Sequence, residues 1–371
     1  MRVLHLCDEL FFLRESSLLR RLRVGLVDEG IRLATAVPER VGERTEDLLS
    51  GPIVTYGRDR LALGRGLRQR RLVDQICQSA GWDEGPDVIH CFGGGSWALG
   101  EQLARQESAV LVLELWRRGL SHRVRAIRGL QSRGEGDGPV LLAPWKSIEA
   151  EAKEDLRSLT IRHNPWGVHT SPKVAARAEA GKTRSVILAG GRHSATRLLK
   201  AFRGCAELIE KGMDLIVFAD ALGTSSAGLW KLATKLGLTD RLSVIADLEV
   251  DRTLPLAADA LVYAGNPGEV RTLLLDAMAT GLPVVAGEDP WNEALLDRRT
   301  AFLVPEPERD GWREPLETAL EDKPLREEIC RSAAEWVKKN NRTSACVATL
   351  LDVYETAAAE ATGTTARIGA S

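Results

Sequence analysis

Short apolar runs alternate with longer amphipathic stretches along nearly the whole chain. VLHL (3–6), IRLATAV (31–37), DVIHCF (87–92), AVLVLEL (109–115) and PVLLA (139–143) are too short for helices and apolar enough for strands buried on both faces. Between the first two, Leu18, Leu19, Leu22, Leu26 and Val27 share one helical face and Gly30 closes the run, which predicts a helix over 16–29. The second half repeats the plan. SVILAG (185–190) leads into a helix over about 194–211, with Leu198, Leu199, Phe202, Ala206 and Ile209 on one face and Gly212 as its stop. Further strands are predicted at DLIVFA (214–219), LSVIA (242–246), ALVYA (260–264), PVVAG (283–287) and AFLV (301–304), then a last helix pair over about 311–360. Strand and helix in alternation indicate parallel sheets covered by helices, an α/β chain.

A length of 371 residues suits two such domains. The polar, weakly patterned stretch TSPKVAARAEAGKTR (170–184) reads as the joint between them. The expected boundaries are an N-terminal domain over 1–170, a linker over 171–184 and a second domain over 185–341, with a disordered tail over 361–371. Ligands of open α/β sheets bind at the carboxyl ends of the strands. Two such sheets facing each other would form a cleft for two substrates.

Composition narrows the classes. Apolar residues make up 44% and charged residues 27%, and 50 Lys+Arg against 52 Asp+Glu leave a net charge of −2, which argues against a general nucleic-acid binder. No apolar run reaches the roughly 18–20 residues of a membrane span. The start turns acidic at Asp8 and Glu9, sooner than the apolar core of a signal peptide allows. The six cysteines form no CxxC pair, so neither a zinc site nor a disulfide framework is expected, and a reducing cytoplasm suits the chain. Two stretches are rich in arginine, 58–71 and 117–133. In the second, Leu120, Val124, Ile127 and Leu130 recur at helical spacing, the pattern of a basic helix lying on an anionic membrane or of a solvated helix packed on its own sheet.

The segment EVRTLLLDAMATGLPVVAGEDPWNEALLDRRTAFLVP (269–305) carries the most specific pattern: Ala277-Met278-Ala279, then Gly281-Leu282-Pro283-Val284-Val285, Glu293, and Phe302 to Pro305. It resembles the donor-site core of the family-four retaining GT-B glycosyltransferases. VILAGGR (186–192), RHNPWGVH (162–169) and VIHCFGGG (88–95) resemble other segments of the same family. The resemblance implies two Rossmann-like domains facing across a cleft, with a final helix (about 342–360) returning to the first. It implies transfer of a sugar from a nucleotide-sugar donor to an acceptor hydroxyl with retention, in cell-surface glycan or glycolipid synthesis. The acceptor would be a glycan or a lipid-linked one, with the protein cytoplasmic or peripheral to the inner face of a membrane. No resident cofactor or metal is expected, since no Asp-x-Asp triplet is present.

The chemistry asks for particular side chains. A glycine turn exposes N–H groups to phosphate oxygens, an arginine neutralises a leaving diphosphate, and a carboxylate accepts from ribose hydroxyls. The resemblance assigns the donor side to Gly191, Arg192, His193, Asp276 and Glu293, and the reacting sugar to Glu269 or His90. It assigns the acceptor side to Gly93, Gly94, Gly95 and Trp116. Each has a structural alternative: acids at helix starts favour the dipole alone, His90 suits a buried strand, and glycine triplets make ordinary turns. The chain also departs from the family pattern. Asp276 replaces a Glu, and Gly268 stands where the first Glu belongs, with Glu269 one residue late. No Lys follows the Gly-Arg, Trp116 replaces a His, and the first loop, LFFLRESS (10–17), lacks a glycine pair. These departures favour the alternative of a catalytically silent GT-B protein that binds a nucleotide, a glycan or a partner enzyme.

Overall fold

The computed structural model describes residues 1–44, 49–57, 65–127, 138–170, 183–190, 194–221, 228–246, 248–249, 252 and 257–368. The chain divides into two compact units. Unit 1 comprises Met1–Gly167 and Thr343–Ser371, and unit 2 comprises Val168–Arg342.

In unit 1 the elements run β1 (Arg2–Cys7), α1 (Glu9–Asp28), β2 (Arg32–Pro38), β3 (Ile53–Tyr56), α2 (Arg65–Ala80), β4 (Val88–Phe92), α3 (Trp97–Glu107), β5 (Val110–Glu114), α4 (Leu120–Ala126), β6 (Val140–Ala143), α5 (Lys146–Asp155) and β7 (Ile161–His163). The strands pair only in parallel, in the order β3-β2-β1-β4-β5-β6-β7. A parallel pair needs a crossover rather than a hairpin, so helices cover the sheet and its central strands are apolar throughout. All five residues of β4 are buried.

Unit 2 follows the same logic with β8 (Arg184–Gly190), α6 (Ala195–Glu210), β9 (Leu215–Asp220), α7 (Leu229–Lys235), β10 (Leu242–Ile245), β11 (Ala260–Ala264), α8 (Thr272–Ala279), β12 (Val284–Gly287), β13 (Phe302–Val304), α9 (Arg313–Glu321) and α10 (Lys323–Asn340). Its sheet order is β10-β9-β8-β11-β12-β13, again all parallel. Phe202, Leu208 and Trp312 fill its core beneath Val186, Leu188 and Val262. The chain then returns to unit 1 as α11 (Thr343–Ile368), which packs on α1 and β5.

Both sheets are doubly wound. Strand order reverses between β1 and β4 in unit 1 and between β8 and β11 in unit 2. At such a switch point the two neighbouring loops leave in opposite directions and open a crevice at the carboxyl ends of the strands.

Several expectations need correction. Helix α1 begins at Glu9, not Ser16, so residues 10–17 are not a loop. The Asp8 side chain accepts from the Phe11 N–H and caps the helix, and Phe11 and Phe12 are buried. The backbone departs from helical angles at Glu15, where the apolar periodicity read from the sequence begins. Strands β3 and β7 are additions to the expected set; both lie at sheet edges and are only partly buried. Three helices, not two, close the chain. Asp322 ends α9 and accepts from Leu325 N–H to start α10, and Asn341 ends α10. Helix α11 runs past residue 360 to Ile368, carried through the alanine-rich turn 357–361 by good helix formers, and residues 369–371 of the expected tail lie outside the described ones.

Helix α6 approaches α9 so closely at Gly204 that a Cβ there would lie 2.7 Å from the Trp312 Cβ and 3.0 Å from the Arg313 backbone N. Backbone cannot yield as a side-chain tip can. Gly204→Ala is therefore expected to destabilise unit 2 by about 1–3 kcal/mol despite alanine's better helix propensity. Chemical denaturation measures this; an unchanged or raised midpoint would show that the two helices are not packed at contact distance.

Candidate functional site

In unit 2 the switch point is bordered by the loop Gly265–Arg271, which leaves β11 and enters α8. Four contacts fix its shape. Asn266 Nδ2 donates to Glu269 Oε2 at 2.7 Å, and Gly268 N–H donates to Asp289 Oδ2 at 2.8 Å. Arg197 Nη1 reaches Gly265 O at 3.3 Å, and the other Asp289 oxygen accepts from Trp291 N–H at 3.1 Å. Gly268 has φ +67°, a left-handed conformation in which a Glu would be strained. The turn thus suits glycine at 268, and the acid that follows it, Glu269, is buried.

The loop ends at α8, whose N-cap residue, Arg271, supplies no side-chain capping bond. The first-turn N–H groups and the positive end of the dipole therefore suit an anion. One turn on, Asp276 is buried in α8 rather than opening it. Its Oδ2 accepts from Arg252 Nη1 at 3.1 Å. Arg252 Nη2 also donates to Glu249 Oε1 and to Thr272 Oγ1, and Arg271 Nη2 lies 3.7 Å from Glu249. Two acids and two arginines thus offset one another inside the unit, where an unpaired charge would be costly.

Sequence reasoning misses Arg252, Glu249 and Asp289. Arg252 and Glu249 precede the family-like segment and Asp289 stands in its acidic turn, so only tertiary structure joins them to Asp276 and Gly268. Glu293 occupies a half-buried turn, with no helix start beside it as the sequence reading places it. Gly191, Arg192 and His193 lie outside the described residues.

In unit 1 the glycine turn follows β4 as expected, but its amides are not all open. Gly95 N–H donates to Asp8 Oδ2 at 2.7 Å, and a Cβ on Gly93 would lie 2.3 Å from the Asp8 carboxylate carbon. The capping acid of α1 therefore also occupies the turn. Trp116 follows β5 and is buried. Phe11 meets its ring edge to face at 5.9 Å, and the guanidinium carbons of Arg14 and Arg117 lie 5.9 Å and 5.7 Å from its centroid.

His90 does not face a crevice. It sits in the middle of β4, fully buried, with both ring nitrogens engaged. Nδ1 meets Tyr354 Oη at 2.7 Å and Nε2 meets Glu114 Oε2 at 3.1 Å, while Trp166 Nε1–H donates to Glu114 Oε1. Burial pushes His90 down to about 3 and Glu114 up to about 8. The consistent arrangement is neutral: protonated Glu114 donates to His90 Nε2, and His90 Nδ1–H donates to Tyr354. This chain of bonds fastens α11 to the sheet, a structural task that removes His90 from the catalytic candidates.

The basic stretch after β5 also differs from expectation. Leu120 and Val124 are buried in unit 1, so the apolar face of α4 is not available to a membrane, and residues beyond 127 lie outside the described ones. Arg118 pairs with Glu151, and Arg125 lies 3.6 Å from Asp155, both acids on α5. No helix among the described residues is long and apolar enough to cross a membrane.

No family model and no curated protein matches the chain in sequence. Solved structures do match its fold. Anabaena Alr3699/HepE, solved in complex with UDP-glucose, is 16% identical over 96% of this chain and 100% of that one, with a TM-score of 0.69. Sucrose-phosphate synthase from Thermosynechococcus elongatus is 14% identical over 96% and 99%, with a TM-score of 0.68. A glycosyltransferase from Rickettsia africae is 13% identical over 96% and 98%, with a TM-score of 0.65. The chain has the GT-B fold. Its two Rossmann-like units correspond to the fold of these structures along nearly their whole length.

The neutral His90–Glu114 pair has a pH signature. Glu114, raised from 4.5, holds a proton that the unfolded chain releases, so its contribution is lost as pH rises from about 4.5 to 8. His90, lowered from 6.5, refuses a proton that the unfolded chain binds, so its contribution grows from about pH 3 to 6.5. The two cancel between 4.5 and 6.5, and a net loss of about 2 kcal/mol remains between 6.5 and 8. An amide in place of the Glu114 carboxyl would donate to His90 and accept from Trp166 without ionising. Glu114→Gln should therefore flatten the alkaline fall in melting temperature, and an alkaline limb as steep as the wild type's would show that Glu114 is already ionised at pH 6.5.

Proposed function

We propose that the chain is a glycosyltransferase that binds a nucleotide-sugar donor on unit 2 and transfers the sugar, with retention, to an acceptor hydroxyl. The observation that carries this reading is the loop Gly265–Arg271, fixed by Asp289 and opening onto the uncapped start of α8 at the switch point. It presents amides to an anion one helical turn before a carboxylate, Asp276, as a nucleoside diphosphate requires. The shared fold with a structure holding UDP-glucose supports the same reading.

In this reading Asp276 accepts from the ribose hydroxyls, and Arg252 sets its direction. An Asp is one methylene shorter than a Glu, and the arginine bridges it to Thr272 and Glu249. The α8 amides and Arg192 take the diphosphate charge, Glu293 lies on the nucleotide side, and Glu269 stands at the sugar. Synthesis of a cell-surface glycan or glycolipid is the setting the resemblance suggests.

One observation favours a second reading. The Arg252–Asp276 pair already engages one carboxylate oxygen, which suits a GT-B protein that binds a nucleotide or a glycan without turnover.

UDP, GDP and ADP separate these outcomes. One of them is expected to raise the melting temperature, since saturation at about a hundredfold over Kd stabilises the native state by about 2.7 kcal/mol. Asp276→Asn should bind the ribonucleotide and its 2′-deoxy analogue alike, whereas the wild type prefers the ribonucleotide. No response to any nucleotide at millimolar concentration overturns the donor site. Binding without release of nucleotide from its sugar, with any acceptor, supports the silent reading.

A further inference from the structure

Unit 1 has a switch point of its own, between β1 and β4, bordered by Asp8 and the glycine turn, and Trp116 and Arg117 follow the next strand, β5. Trp116 is only 3% exposed, yet its indole Nε1–H has no acceptor among the described residues. Buried indole N–H groups ordinarily find a partner. The Arg117 guanidinium lies over the same ring at 5.7 Å, and its buried Nε also lacks an acceptor among the described residues. Arg123, on α4, lies across the glycine turn: a Cβ on Gly94 would be 3.0 Å from its Cδ and 3.3 Å from its Nε.

The four arginines in the described part of this stretch, 117–127, divide into two kinds. Arg118 and Arg125 face α5 and are matched by Glu151 and Asp155. Arg117 and Arg123 have no carboxylate partner among the described residues and stand by the strand ends. Arg14, buried on α1, brings a second guanidinium to the Trp116 ring at 5.9 Å. Arg117 and Arg123 thus leave two positive charges beside the ring and the glycine turn that no acid offsets among the described residues, and an anion there would do so. The nearby Asp8 accepts from the N–H groups of Phe11 and Gly95, and no ion pair joins it to Arg117 or Arg123 among the described residues.

We propose that this crevice binds a phosphoryl group carried by the acceptor, a proposal that rests on the glycosyltransferase reading. Two guanidinium forks and an indole N–H offer more donors than the two oxygens of a carboxylate can use, and a phosphate has three or four. The phosphate belongs either to a soluble phosphorylated acceptor or to a lipid headgroup.

Calorimetric titration of the full chain at low ionic strength, with inorganic phosphate, glycerol 3-phosphate and glycerol, tests the site. The two phosphates are expected to bind and glycerol not. Arg117→Gln combined with Arg123→Gln should weaken phosphate binding about ten- to a hundredfold while leaving the nucleotide-induced rise in melting temperature unchanged. Trp116→Phe keeps the ring for its arginines and removes only the N–H; a several-fold loss is expected. Sedimentation with phosphatidylglycerol vesicles, against phosphatidylcholine alone, identifies the source. Retention of the wild type but not the double variant means a lipid headgroup, and binding of glycerol 3-phosphate without vesicle retention means a soluble acceptor. The proposal is overturned if no phosphate-bearing probe binds, or if the double variant binds as the wild type does. Phosphate binding with no nucleotide response would leave the site standing and remove the donor reading.

Discussion

Parallel strand pairing governs both units. Each parallel pair forces a crossover, each crossover lays a helix on the sheet, and the central strands are buried on both faces. Charged groups that must meet a ligand then have few places to stand: the ends of the strands and the first turns of the helices that follow. Asp8, the glycine turn, Trp116, the loop Gly265–Arg271 and Asp289 all occupy such places. Polar groups away from strand ends, such as His90, survive only by satisfying one another.

The charged residues at the two switch points are held differently. In unit 2 the arginines are balanced by Glu249 and Asp276 inside the domain, and the loop is braced by Asp289. Breaking one member of such a set leaves a buried charge without its counterpart, so the set orients Asp276 firmly. In unit 1 the first arginine after β5, Arg117, lies over an aromatic ring, and no acid among the described residues pairs with it. A π face attracts a cation without consuming its N–H donors. One site is pre-balanced and the other retains positive charge.

Much of the fold is legible in the sequence because burial on both faces leaves a clear mark. ALVYA and SVILAG read as strands from composition alone, and Gly212 stops α6 where expected. Edge strands β3 and β7 carry no such mark, since half of each faces solvent. The start of α1 escapes the pattern because its opening turn is set by one side-chain bond from Asp8, not by periodicity. The site is legible only in part. DAMATGLPVV marks Asp276 and its helix, but the ion pair with Arg252 joins residues 24 positions apart, and no spacing rule reaches it. His90 looks chemical because histidines often are; the partners that make it structural, Glu114 and Tyr354, lie 24 and 264 positions away.

The return of α11 to unit 1 makes that unit discontinuous, so its core is complete only when the residues beyond Arg342 are present. Unit 2 is a single continuous stretch and has all its residues once Arg342 has left the exit tunnel. Unit 1, though translated first, must wait with His90, Glu114 and the flank of β5 uncovered until Tyr354 arrives. Closing the N-terminal unit thus joins contacts 264 positions apart.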